Sequence, residues 1–444
     1  MRKRLAAIAG IAGLALLTAA CSSQPSTTST AAAAADVSSP VTLTLESYMP
    51  ALGAVGVTTI NQLIAGFEKQ NPNVTVKLIS DTNSAAAQSV ANYQREAATG
   101  TMPDVGQVVF DTLRFSASDL GAQPLEDLYG SSKVTALFGG DYPYFTPVSK
   151  LGVVGGKTYG VPWTLSTPVL FYNAELLKKA GIDTPPSTWD EVASDSAKIT
   201  AATGATGLAN GCVGTANGGN DWCLQAILGS NGGGVLSKKD TTTFDSKANV
   251  QALTTMQKLA SSGAMTDLTI QQMVQQFASG KVAMVLNTAA LQTTLLNAVG
   301  SSFTIENTGM PAFSGKTATP TNSGSALEVF TKDKTKQAAA YKLIQYLTSP
   351  EAETTITTQV GYPPLRDGVV DAAKYLKPFA DEHPLLAANV AQLKKIIPWQ
   401  SYPGNNFIQV ETLLTDTVTK VVFQGQDASS ELKSAQTQAE SLLG

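Results

Sequence analysis

The sequence predicts an α/β protein. An alternating apolar segment, a segment with helical apolar spacing and a second alternating segment follow one another within 40 residues. Helix caps then recur through the middle and end of the chain. The length is 444 residues with 43% hydrophobic side chains. That is enough for sizeable cores in two or three domains.

Taken in order, Val41, Leu43 and Leu45 alternate with threonines and predict a strand. Ile60, Leu63, Ile64 and Phe67 fall at i, i+3, i+4 and i+7, which predicts a helix over 58–70 stopped by Asn71-Pro72. Val74, Val76 and Leu78 alternate as a second strand. Strand, helix, strand is a βαβ unit, so a parallel sheet is expected. Val105 to Phe110 reads as a third, more buried strand. The middle reads as mostly helical. Asn173 can cap a helix over 174–180, and Gly181 follows it. Ser187 with Asp190, or Thr188 with Glu191, offers a capping box ahead of Val192 and Ile199. Ser246 can cap a helix carrying Val250, Leu253, Met256 and Leu259, and Val282 to Leu286 reads as a buried strand. Ala340, Leu343, Ile344 and Leu347 form a helical stripe, and Pro350 suits the first position of the next helix. The tail from about Ala428 to Leu443 is again helical. No internal repeat and no Gly-rich phosphate loop with a correctly spaced lysine is present.

The chain opens with Arg2-Lys3-Arg4 and then 16 apolar or small residues broken by Thr18. The run is too short to span a bilayer and reads as a secretory signal over 1–20. It ends in Leu16-Leu17-Thr18-Ala19-Ala20-Cys21, which resembles a bacterial lipobox, with Thr18 where leucine is usual. The resemblance implies lipidation of Cys21; ordinary cleavage after Ala20 is the alternative. Two acyl signals suffice for stable anchoring. Apart from Cys21 and Val37, residues 21–39 are Ser, Thr, Ala, Gln and Pro with one charge, and are expected to be a flexible tether. Cys212 and Cys223 remain, and in an oxidising compartment they are expected to pair across a short loop, two buried thiols being the alternative.

Charged residues make up only 14% of the chain. There are 30 basic and 34 acidic side chains; without Arg2, Lys3 and Arg4 the balance is 27 to 34, or −7. Nothing here attracts nucleic acid. The only histidine is His383, between acidic neighbours and expected at the surface, so a His-based zinc site or Ser-His-Asp triad has almost no material. No metal or other cofactor is implied, and nothing suggests more than a monomer.

From Gly160 the words become specific. Gly160-Val-Pro-Trp-Thr-Leu-Ser-Thr-Pro-Val-Leu-Phe-Tyr-Asn173, Leu176-Leu-Lys-Lys-Ala-Gly181 and Pro186-Ser-Thr-Trp-Asp-Glu-Val192 resemble the extracellular solute-binding proteins (family 1) of carbohydrate ABC importers. Phe277 to Met284, Tyr341 to Glu351 and Gly361-Tyr-Pro-Pro364 fit the same family. Ser166 to Asn173 and Gly361-Tyr362-Pro363 are nearest to its glycerol-3-phosphate and glycerophosphodiester binders. The resemblance runs from about Pro40 to Leu443. It implies a bilobed periplasmic-binding-protein-like fold, two α/β lobes joined by crossing hinge segments with a ligand cleft between them. The N-terminal lobe would be 40–162 plus 308–362, and the C-terminal lobe 163–307 plus 366–444. It implies a membrane-anchored, non-enzymatic component that closes on a solute and delivers it to permease subunits.

Sugar sites need planar polar groups for adjacent hydroxyls and aromatic faces for the ring. Asp111 follows a buried strand, where open sheets place ligands, or else caps a helix. In the resemblance it falls near an acidic ligand. Ser166, Asn287 and Thr288 match hydroxyl or small polar ligand positions. Ser323 and Gly324 match a turn whose backbone N–H groups meet the ligand, and Tyr362 matches a tyrosine ligand. Trp222 lies where these binders carry a tryptophan platform, stapled by the cysteine pair; Trp163 either stacks on a ring or packs the hinge. One departure bears on the solute. The glycerol-3-phosphate binders place an arginine where this chain has Tyr402, in Gln400-Ser-Tyr-Pro-Gly-Asn405, and no arginine follows Arg366. Without that fork a phosphate monoester loses its strongest bonds. A neutral mono- or oligosaccharide fits better, with Tyr402 offering a ring face; a glycerophosphodiester fits if Arg366 turns inward. A glycosidase using Asp111 and Asp221 is a remote alternative.

Overall fold

A computed structural model describes residues 37–81, 86–214 and 221–444. The signal segment, Cys21 and all but the last three residues of the tether lie outside them. Strand β1 (Val41–Ser47) buries Leu43 and Leu45 and exposes Thr42, as its alternation demands. The following helix starts earlier than predicted, at Ala54, because Gly53 turns the chain directly into it with φ +81°. Its buried stripe is Ile60, Leu63, Ile64 and Phe67. Strand β2 (Val74–Ser80) runs parallel to β1. Strand β3 (Val105–Val109) is buried throughout and also parallel to β1. It ends one residue early, where Phe110–Thr112 tightens into a 3-10 turn.

Strand β4 (Gly160–Ser166) is buried at every position. After Thr167 the chain enters a second sheet with β5 (Pro168–Asn173), β6 (Thr206–Asn210), β7 (Met265–Thr266), β8 (Val282–Thr288) and β9 (Ile305–Gly309). Strand β10 (Ser323–Val329) then returns to the first sheet. The strand orders are β2-β1-β3-β10-β4 and β9-β5-β8-β6-β7.

The expectation of a parallel sheet is corrected here. β10 runs antiparallel between β3 and β4. In the second sheet β5 is antiparallel to both neighbours, while β8, β6 and β7 are parallel. A period-two pattern carries no strand direction. Direction is set by the end of the sheet at which a returning chain arrives. The reading of the middle as mostly helical is corrected too, since it holds the whole second sheet. Thr206-Gly-Leu-Ala-Asn210 is short and poor in β-formers, so its strand left little trace in the sequence.

The caps form as their chemistry predicts. Asn173 accepts from the Leu176 amide at the head of Ala174–Lys179. Of the two candidate boxes, Thr188 with Glu191 closes on Trp189–Thr203. Ser246 caps Lys247–Ser261, and Ser349 caps Pro350–Val360. Pro162 is tolerated in β4 because that strand is at the sheet edge, with a bulge opposite Ser325 and Ala326.

Two segments joining the sheets are braced by one side chain. Gln392, on helix Leu386–Leu393, donates to Thr167 Oγ1 (2.9 Å) and the Pro168 carbonyl (2.7 Å), and accepts from the Met310 amide (3.2 Å).

Candidate functional site

The first-sheet strands end in a buried hydroxyl network. Gln107 Nε2 donates to Thr164 Oγ1 (3.1 Å) and Ser325 Oγ (2.9 Å), while its Oε1 accepts from Ser47 (2.6 Å) and the Tyr48 amide (3.2 Å). The Tyr48 hydroxyl lies 3.3 Å from Thr164 Oγ1 and is also bonded to Tyr362. In the 3-10 turn that follows β3, Asp111 is fully buried. Its Oδ1 accepts from the Thr112 hydroxyl at 2.9 Å, and its Oδ2 has no partner.

Elements from the second half of the chain face it. Asp221, in the first turn of helix Asp221–Ser230, accepts from Trp399 Nε1 and Gln225 Nε2 through Oδ2, both at 2.7 Å; its Oδ1 has no partner. Glu411 projects from helix Phe407–Val422, with Oε1 unpartnered. Tyr402 is 1% exposed and its ring meets Phe244 edge-on, yet its hydroxyl has no partner. Asn322 accepts from the Trp399 amide (3.0 Å) and leaves its Nδ2 unpartnered. The Ser401 hydroxyl donates to the Asp111 carbonyl, tying the two sides together.

Burial sets the electrostatics. It pushes the Asp111 carboxyl up, opposed by the Thr112 bond, with nearby Asp221 adding to the rise. It pushes Asp221 up against the bonds from Trp399 and Gln225. Glu411 is held well above the carboxylate range by burial, then by Asp111 and Asp221. Burial, then Asp221 and Glu411, raise Tyr402 in the same way. Among the described residues no lysine or arginine acts on Asp221 or Glu411. Such a set can accept hydrogen bonds from hydroxyls. It opposes an anion.

Arg114 and Arg366 are committed elsewhere. Arg114 forms two parallel 2.9 Å bonds with Asp240, whose backbone sits at φ +60°. Arg366 is 7% exposed and donates to the carbonyls of Thr348 (2.6 Å), Gly139 (3.1 Å), Tyr142 (2.8 Å) and Leu137 (2.6 Å), with its guanidinium over the Tyr144 ring. It does not turn inward.

Among the remaining expected residues, Ser166 lies 2.6 Å from Thr288 and accepts from the Ala290 amide, joining the ends of β4 and β8. Asn287 is buried in β8, with Oδ1 on the Thr288 amide and Nδ2 on Met273 Sδ. Ser323 and Gly324 pair with Ser166 and Leu165 at the start of β10. Trp163 packs in the first-sheet core, its indole N–H on the Leu347 carbonyl (2.9 Å). Trp222 is buried, its carbonyl accepting from Thr321. Cys212 and Cys223 form a disulfide with Cα atoms 4.8 Å apart; residues 215–220 of their loop lie outside the described residues. The Tyr402 hydroxyl lies in the field of Asp221 and Glu411, while its ring is enclosed in the core.

Gln107, Glu411, Asn322 and Trp399 were not anticipated. Glu411 alone left a sequence signal: it is four residues after Phe407 and three before Leu414, on the apolar stripe of its helix.

The model of the bacterial extracellular solute-binding protein family matches residues 53–354, about two thirds of the chain. The chain belongs to the bacterial extracellular solute-binding protein family. This is a family of binding proteins that act outside the cytoplasm, not of enzymes. The sn-glycerol-3-phosphate-binding periplasmic protein of Yersinia pestis is 26% identical over 279 residues, 60% of this chain and 62% of that relative's length. Two solved structures share the fold. The cyclic α-maltosyl-1,6-maltose binding protein of Arthrobacter globiformis has TM-score 0.77 and 19% identity, over 91% of this chain and 99% of its own. The UgpB protein of Mycobacterium tuberculosis in complex with glycerophosphocholine has TM-score 0.76 and 21% identity, over 91% and 98%. This solute-binding protein therefore has the α/β architecture of periplasmic binding proteins, with two mixed sheets.

Proposed function

We propose that this solute-binding protein is the capture component of an ABC importer, anchored outside the cytoplasmic membrane by lipid on Cys21. It takes a sugar or oligosaccharide between two lobes and presents it to permease subunits. One lobe carries β1–β4 and β10, the other β5–β9, and Thr167 and the segment after Gly309 are crossings between them. The observation that carries the solute class is the set of unpartnered buried oxygens on Asp111, Asp221, Glu411 and Tyr402, with no basic side chain acting on Asp221 or Glu411. Buried polar atoms without partners are costly, and a ligand rich in hydroxyls supplies them. A phosphate brings more acceptors and more negative charge, and neither Arg114 nor Arg366 is free to meet it.

The second reading is a glycerophosphodiester or glycerol-3-phosphate, supported by the Yersinia relative and the glycerophosphocholine complex. A thermal-shift comparison separates the two. The secreted protein carrying Cys21→Ala is melted with a panel of mono- and oligosaccharides, with glycerol-3-phosphate and with glycerophosphocholine. A ligand that binds the folded state alone raises the melting point by mass action. The expected result is a rise with at least one saccharide and none with either phosphate. A rise with the phosphates alone overturns the sugar reading.

A further inference from the structure

Asp111, Asp221 and Glu411 are buried together at 0%, 4% and 9% exposure. Each leaves one carboxyl oxygen unpartnered. A second observation points to a ligand here: the Tyr402 hydroxyl, on a side chain 1% exposed, lies in the field of Asp221 and Glu411 and has no partner. No metal explains the arrangement, because among the described residues no three acidic, histidine or cysteine side chains are grouped closely enough to hold one. Arg114 pairs with Asp240 through a half-exposed ion pair and reaches the Ser401 carbonyl at 3.4 Å. Burial and mutual repulsion hold back the charge of the cluster, and among the described residues no lysine or arginine acts on Asp221 or Glu411.

Neutral hydroxyls bond to carboxylates but bring no charge. Buried carboxylates without a counter-charge stay protonated or destabilise the fold. An ammonium group meets both needs. It donates only, and its charge favours the ionised, acceptor-only form of the carboxyls and turns like-charge repulsion into attraction.

Resting on the sugar reading above, we infer that the solute selected by this site is a saccharide bearing a protonated amine, held by Asp111, Asp221, Glu411 and Tyr402. Titration calorimetry on the full secreted protein tests this with matched sets: glucose, glucosamine and N-acetylglucosamine; the galactose set; and cellobiose with the β-1,4-linked glucosamine disaccharide and its N-acetylated form. Glycerophosphocholine is a separate arm. In the sets that bind, the amine is expected to bind at least about tenfold tighter than the neutral and N-acetyl members, as one charge-assisted bond would give. Asp221→Asn and Glu411→Gln are expected to abolish that preference. If either variant fails to fold, the wild-type comparison still decides. Equal or tighter binding of the neutral members overturns this inference and leaves the sugar reading standing. Amine preference that survives both substitutions overturns the assignment to this cluster. Binding of glycerophosphocholine alone, or of nothing in the panel, overturns both.

Discussion

At Gly324 the backbone holds φ +97°, and a Cβ would lie 2.1 Å from the Thr164 carbonyl oxygen. Both facts exclude a side chain, so the glycine is required by close strand approach whatever it does for a ligand. Gly324→Ala is expected to cost at least about 2 kcal/mol, read as a lower urea midpoint. An unchanged midpoint would show that β4 and β10 can move apart freely. Arg366 makes the same point about roles. From sequence it was the remaining candidate to meet a phosphodiester; in the structure its fork binds four backbone carbonyls. A guanidinium offers five donors in fixed directions, and buried carbonyls compete for them as well as phosphates do.

Among the elements, the joins between the sheets matter more than the sheets. Gln392 spans Thr167–Pro168 and Met310 with three bonds from one buried amide. Gln392→Ala leaves those groups unpaired, and about 2–3 kcal/mol of stability is expected to be lost. Hydrogen exchange should localise the effect, with the Met310 amide exchanging faster than amides in β3. A uniform change across the chain would deny Gln392 a bracing role. Helices were legible at this scale because their ends carry local chemistry: Asn173, Thr188 with Glu191, Ser246 and Ser349 each bond the amide three residues on. β6 was not legible, because a five-residue strand is stabilised by neighbours that lie far away in sequence.

Across the whole molecule, stability carries a pH signature from buried carboxyls outside the site. Burial pushes Glu328 up to about 8, against a bond from Ser116. It pushes Glu353 up to about 8, against Arg366 and the amides of Leu365 and Arg366. A carboxyl raised in the folded state binds more protons there than in the unfolded chain. Its stabilising contribution is therefore full below the ordinary glutamate value of 4.5 and is lost as pH rises through about 8. The urea midpoint is expected to be higher at pH 5 than at pH 8.5. Glu328→Gln and Glu353→Gln should flatten the difference, and a midpoint that rises with pH over that window would refute this account.

The sequence by itself determined the features that depend on neighbours along the chain. These are the alternation of β1, the stripe of Ile60 to Phe67, the helix caps and the family words from Gly160 onward. It also singled out Asp111, Trp222 and Tyr402, and its missing arginine already argued against phosphate. Tertiary structure decided what those residues do. It enclosed the Tyr402 ring against Phe244 and left its hydroxyl in the field of Asp221 and Glu411. It brought Glu411 and Trp399 to Asp221 across nearly 200 residues of chain, and it occupied Arg366 with carbonyls. Strand direction, burial and the pairing of distant polar atoms are properties of the packed chain. Local spacing cannot encode them, because each is settled by which remote group arrives alongside.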